Sequence, residues 1–180
     1  MIELRPLSNI HISPFYKWIN DPEVIKYSLS LFLKIHTEND IEKWYKGLIE
    51  NEEILNFGIF IKENNKLIGY TGIGNISKTN KSGEFYIFIG EKKMWGKGIG
   101  TLATKQLLKI GFSEQQLNSI FLTVSEPNIG GIKAYENAGF KHEGRLRQAC
   151  YRDHEFHDKL IMSILKSEYQ KQKTTEISGE

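Results

Sequence analysis

Residues Gly90 to Thr101 read GEKKMWGKGIGT, with Gly96, Gly98 and Gly100 on alternate positions and lysines at 92, 93 and 97. An apolar stretch precedes this loop and an amphipathic one follows it. Glycines let a backbone approach a ligand closely and aim several N–H groups at one point, and a helix N-terminus adds partial positive charge. The pattern therefore suits an anion such as phosphate; the alternative is a turn that merely joins a strand to a helix. Two nucleotide loops fail on spacing. A Walker A loop needs G-x-x-x-x-G-K and then Ser or Thr, but five residues separate Gly90 from Gly96, and Gly98 stands where the hydroxyl belongs. A dinucleotide fingerprint needs G-x-G-x-x-G, and this loop gives G-x-G-x-G.

Working outward, about Gly83–Ile89 predicts the strand feeding the loop. Ile99, Leu102, Ala103, Leu107 and Ile110 mark one face of the helix leaving it, which ends near Phe112. Nearer the N-terminus, Ile2–Leu7 alternates like a strand. A short helix from Ser13 stops at Asn20-Asp21-Pro22, because the residue before proline avoids the helical region. Thr37 and Asp40 form a capping-box arrangement ahead of Ile41, Trp44, Tyr45, Leu48 and Ile49. Leu55–Lys62 and Lys66–Asn75 predict two strands, and Ser119–Val124 a buried one. A helix bearing Ile132, Tyr135 and Ala138 stops at Gly139, and Phe140–Gln148 with Phe156–Leu165 predicts a final hairpin. From Lys166 the chain is polar and is expected to fray.

The 180 residues suffice for one α/β domain with its own core, and 39% hydrophobic residues exclude a mainly disordered chain. A net charge of +2 gives no bulk reason to expect nucleic acid. Cys150, the single cysteine, excludes an internal disulfide and fits a reducing compartment. No signal peptide or membrane-length apolar run is visible, so a cytoplasmic protein without a membrane partner is expected. His154 and His157 fall on opposite faces of a strand, and no metal is expected.

A second stretch, SEPNIGGIKAYENAGF from Ser125 to Phe140, decides between the readings of the loop. Together the two resemble the GNAT superfamily of N-acetyltransferases. The family's coenzyme A loop, Gln/Arg-x-x-Gly-x-Gly/Ala, corresponds to Trp95-Gly96-Lys97-Gly98-Ile99-Gly100, with Trp95 replacing the usual Gln or Arg. The later signature matches Asn128, Tyr135, Gly139 and Phe140. IELRPL near the start and WINDPEV after it are similar to the RimJ/RimL-like branch. The resemblance implies an α/β fold: a single GNAT-type domain over residues 1–166, with a mixed, mostly antiparallel central sheet and helices on both faces. Residues 167–180 would be a flexible polar tail.

It also implies acetyl-CoA as co-substrate, its pyrophosphate on the N–H groups of residues 96 to 101 (Gly96, Lys97, Gly98, Ile99, Gly100, Thr101). The pantetheine arm would lie between splayed strands ending near Ile89 and Ser125, and Asn128 would hold the arm, cap its helix, or both. Transfer needs a neutral amine, although an alkyl amine has a pKa of about 10.4, so a base or a water chain leading to one must take its proton. Glu84 is the candidate base. A backbone N–H near Ile89 would stabilise the oxyanion, and Tyr135 would protonate or hydrogen-bond the leaving thiolate.

The acceptor is expected to be a small-molecule amine, and the protein a monomer or homodimer. Between Lys141 and Arg152 four cations face Glu143 alone. That excess favours an acceptor carrying phosphate, such as a nucleotide-linked amino sugar, held by Arg145 and Arg147 and covered by Tyr27 and Phe32. The alternatives are a protein N-terminus (perhaps of a ribosomal protein), a polyamine, or a non-catalytic acyl-CoA-binding role.

Overall fold

Alternating side chains along one central strand divide the core into two layers. In the computed structural model, which describes residues 1–178, strand β4 (Ser82–Ile89) sends Phe85 and Ile87 to one face and Tyr86 and Phe88 to the other. The first face is covered by α4 (Ile99–Lys109) and α5 (Ile129–Ala138), which bring Leu107, Leu108 and Tyr135. The second is covered by α1 (Ser13–Ile19), α2 (Pro22–Ile25) and α3 (Glu38–Glu50), which bring Phe15, Trp18 and Tyr45.

The other strands are β1 (Ile2–Arg5), β2 (Leu55–Ile61), β3 (Lys66–Ser77), β5 (Ser119–Ser125), β6 (Lys141–Arg152) and β7 (Glu155–Leu165). They form one seven-stranded sheet in the order β1-β2-β3-β4-β5-β7-β6. Every neighbouring pair is antiparallel except β4 and β5. Helices lie on both faces of this mixed sheet, as expected.

Local signals act where they were read. Thr37 Oγ1 accepts from the Asp40 amide at 3.2 Å and opens α3, with Ile41 and Tyr45 buried beneath it. Gly139 ends α5 at φ 103°, a left-handed value that costs glycine no Cβ clash. The last hairpin runs longer than predicted because Asp153 and His154 make the turn at φ 52° and 64° without glycine. A bulge between Leu146 and Cys150 carries Gln148 at φ 52°.

The C-terminal segment departs from expectation. Residues Lys166–Ser178 form α6, and residues 179–180 lie outside the described residues. Tyr169 is buried and stacks on Phe112 with ring centroids 5.1 Å apart, while Lys141 pairs with Glu168 at 2.6 Å. One aromatic anchor in a polar sequence is too weak a periodic signal to announce a helix. Tyr169→Ala is expected to cost about 2 kcal/mol, because it empties a site at the edge of the core. A denaturant melt checks this; unchanged stability would mean that the segment does not dock. No described helix is long and apolar enough to cross a membrane.

Candidate active site

The parallel neighbours β4 and β5 pair only from Ser82–Glu84 to Ser119–Phe121 and then part. The amides of Gly90 and Glu91 bond Ile68 O, and Thr71 Oγ1 bonds Tyr86 O at 2.8 Å, so even-numbered residues of β4 turn their backbone toward β3. By alternation, Ile87 and Ile89 turn theirs toward β5, across the gap. Unpaired strand backbone in a sheet interior is costly unless something else bonds it. A cavity of about 490 Å³ runs through this opening.

The glycine loop lies at the wide end. Gly96 and Gly98 have φ 70° and 74°, and a Cβ at either would meet nothing within 4 Å. Backbone conformation, not crowding, demands glycine there. Gly98 is the N-cap of α4, so the amides of the first turn face open space with the helix dipole behind them. Gly100 answers a different need: its Cβ would lie 3.3 Å from Ala134 Cβ, where α4 crosses α5. Thr101 Oγ1 reinforces that crossing by bonding Ala134 O at 3.3 Å.

Trp95, 39% exposed, donates its indole N–H to Ile89 O at 2.8 Å, pinning the loop to the end of β4. Of the loop lysines, Lys92 is committed elsewhere. It bridges Asp21 and Glu23 at 2.8 Å each, and these carboxylates raise its pKa. Lys97 makes no ion pair with a described residue.

Tyr135, on α5, borders the cavity with its ring held against Phe85 and Phe140, 5.8 and 6.1 Å away. Its hydroxyl bonds no described residue, and burial pushes its pKa up to about 12. Asn128 borders the cavity too, and its Oδ1 caps α5 by accepting from the Gly131 amide at 3.1 Å. Glu84 sits in the cavity wall with Asn75 Nδ2 2.7 Å from its Oε2.

The predicted acceptor residues divide. Tyr27 borders the cavity. Phe32 does not: it is 0% exposed and packs edge-on against Trp44 and Phe88, at 4.9 and 5.5 Å, so it is a core residue rather than a cover for the acceptor. Arg145 is engaged by Glu126 at 2.9 Å and Asp158 at 3.0 Å, away from the cavity. Arg147 borders a separate depression on β6.

Two cations do reach the cavity, Arg152 and Lys159, and Arg152 is held there by the backbone. Its guanidinium donates to Lys26 O at 3.0 Å, Ser28 O at 3.2 Å and Ser30 Oγ at 3.3 Å, tying the last hairpin to the segment after α2. Tyr70 and Lys159 also line the cavity and went unmarked, since nothing in their local sequence signals it.

Comparison with known proteins agrees with this geometry. Residues 2–141 match the acetyltransferase (GNAT) domain family. The uncharacterized N-acetyltransferase p20 of Bacillus licheniformis is 30% identical over 151 residues, covering 83% of this chain and 84% of that protein. Spermidine N(1)-acetyltransferase of Vibrio cholerae is 30% identical over 137 residues, 71% of this chain and 79% of that one. The crystal structure of the Vibrio cholerae spermidine N-acetyltransferase in complex with CoA and spermine superposes with a TM-score of 0.82 at 24% identity, covering 94% of this chain and 98% of the other. By its loop, its parted strands and these matches, the chain belongs to the GNAT acetyltransferases and is an N-acetyltransferase.

Proposed function

We propose that this acetyltransferase takes its acetyl group from acetyl-CoA and delivers it to a primary amine on a small aliphatic molecule. The carrying observation is that one cavity, running through the break in the sheet, has Tyr135 and Glu84 in its walls. Acetyl-CoA, when bound, supplies the acetyl thioester. The α4 N-terminal amides and Lys97 hold its phosphates, and the backbone of Ile87 with the amide of Ile89 aligns the arm and polarises the acyl oxygen. Glu84 accepts the proton that the ammonium must lose. As the C–N bond forms and the C–S bond breaks, Tyr135 gives its proton, or a hydrogen bond, to the departing sulfur.

A nucleotide-linked amino sugar loses its support, because the cations meant for its diphosphate are paired with carboxylates or lie off the cavity. An aliphatic amine suits a cavity whose one wall carboxylate, Glu84, can take its proton beside Arg152 and Lys159, and the similarity to a spermidine acetyltransferase points the same way. The test is a thiol-release assay with spermidine, butylamine, a short unblocked peptide and a uridine-diphosphate amino sugar. Faster turnover of the peptide or the sugar nucleotide than of either simple amine would reject this acceptor class. Glu84→Gln should lower acceptor kcat/KM by about tenfold at neutral pH, with the deficit shrinking as pH approaches the amine pKa and less base help is needed. A deficit equal at every pH would remove Glu84 from proton transfer.

A further inference from the structure

Most buried tyrosines on the α1–α3 side of the sheet have their hydroxyls satisfied. Tyr45 donates to Ser8 O at 2.9 Å, and Tyr86 donates to Asn56 Oδ1. Tyr70 is the exception. It is 2% exposed, yet its hydroxyl bonds no described residue. Among described side chains only Arg5 Nε is both sealed from solvent and unbonded. The small exposed part of Tyr70 therefore includes its hydroxyl, and Tyr70 lines the cavity.

The ring cannot swing to find a partner. Phe15, Trp44, Phe88 and Tyr86 surround it at centroid distances of 5.7, 5.8, 5.7 and 5.9 Å. Its strand neighbour Gly72 admits the Tyr86 side chain beside it. Gly72 and Gly74 share its face of β3 opposite Tyr86 and Glu84, and a Cβ on Gly72 would strike Tyr86 Oη at 2.2 Å. A hydroxyl fixed in this way, bonded to no described residue and open only to the cavity, keeps its hydrogen-bonding capacity for whatever enters.

We propose that the Tyr70 hydroxyl anchors the acceptor nitrogen, a role that rests on the acetyl transfer to an amine argued above. By accepting one N–H of the acceptor, the phenol oxygen leaves the nitrogen lone pair free to face the acyl carbon. Tyr70 thus acts with Glu84: one fixes where the nitrogen sits, the other takes its proton. Burial raises the Tyr70 pKa, so the group stays a neutral hydroxyl throughout the working range. The aromatic wall of Tyr70, Tyr86 and Phe88 suits the methylenes and the cationic head of an alkylamine.

The test uses two substitutions that each delete one hydroxyl. Tyr70→Phe should leave the melting temperature within about 1 °C of the wild type, because the hydroxyl bonds no described residue and the ring keeps its aromatic contacts. It should nevertheless raise the acceptor KM about tenfold, for the panel amine that turns over fastest, with acetyl-CoA KM unchanged. Tyr86→Phe, which breaks the bond to Asn56, should instead lower the melting temperature. A structural role cannot leave Tyr70→Phe as stable as the wild type and yet worse at binding the amine. A lower melting temperature in Tyr70→Phe, an unchanged acceptor KM, or equal losses for both substrates would overturn the proposal. Wild-type protein that acetyl-CoA fails to stabilise would count against the acetyl-transfer reading instead, since that measurement involves no acceptor.

Discussion

Gly98→Glu is expected to fold and to lose nearly all of the stabilisation that acetyl-CoA gives the wild type. At about a hundredfold excess over its dissociation constant a ligand stabilises the state it binds by about 2.7 kcal/mol. For a chain of this size that is a rise in melting temperature of roughly 5–10 °C. Gly98 has φ 74° with open space above it, so a new Cβ meets no atom within 4 Å but the residue pays the left-handed penalty of about 1–2 kcal/mol. A carboxylate at the N-terminus of α4 recovers part of that through the helix dipole, which keeps the variant folded. The same carboxylate occupies the place proposed for phosphate and repels it. Titration calorimetry or a thermal shift with acetyl-CoA decides the matter; a full shift in the variant would mean that the loop does not hold the cofactor.

Tyr135→Phe is expected to lower kcat by about a hundredfold, the low end for acid help, since a thiol with a pKa near 8.5 leaves readily. Acetyl-CoA affinity should change little, because the hydroxyl bonds no described residue and the ring keeps its contacts with Phe85 and Phe140. The pH profile offers a second check. With its pKa raised to about 12, Tyr135 remains a proton donor at pH 10–11, where an ordinary tyrosine has ionised. Its folded pKa exceeds the unfolded value, so its contribution to stability is complete below about pH 10 and is lost as pH rises toward 12. Wild-type turnover should therefore show no tyrosine ionisation until the fold itself begins to weaken. Undiminished kcat in Tyr135→Phe would return this residue to the core.

The features legible in the sequence are those fixed by a few adjacent residues. Gly96 and Gly98 need left-handed backbone, Thr37 and Asn128 cap helices, and Gly139 stops one; each is a local requirement with a local signature. The acceptor side was not legible in this way. In YSLSLFLK every apolar residue looks equivalent, and only Trp44 and Phe88, distant in the chain, decide that Phe32 goes to the core while Leu29 borders the cavity. The cations of β6 look free until the hairpin register and bulge bring Asp158 to Arg145. Lys92 looks like a phosphate ligand until α2 presents Asp21 and Glu23. Tyr70 carries no motif; its position matters because β4 and β5 part beside it.

That parting also has a mechanical meaning. The four strands from β1 to β4 and the three from β5 to β6 are paired at Ser82–Glu84 and Ser119–Phe121, with Lys81 O accepting from the Asn118 and Ser119 amides beside them, so the sheet resembles a clothes-peg whose spring lies at one end. From Glu84 to Ile89 the jaw is about 17 Å long at roughly 3.3 Å per residue, so a tilt of about 10° at the spring moves the tip by about 3 Å. Gly83 sits in the spring, where a Cβ would press on Ile73 Cγ2 at 2.4 Å. The aperture is thus set by packing at the closed end of the jaws together with the α4–α5 crossing that ties their open ends, and a side chain that touches no substrate can widen or narrow the mouth by leverage.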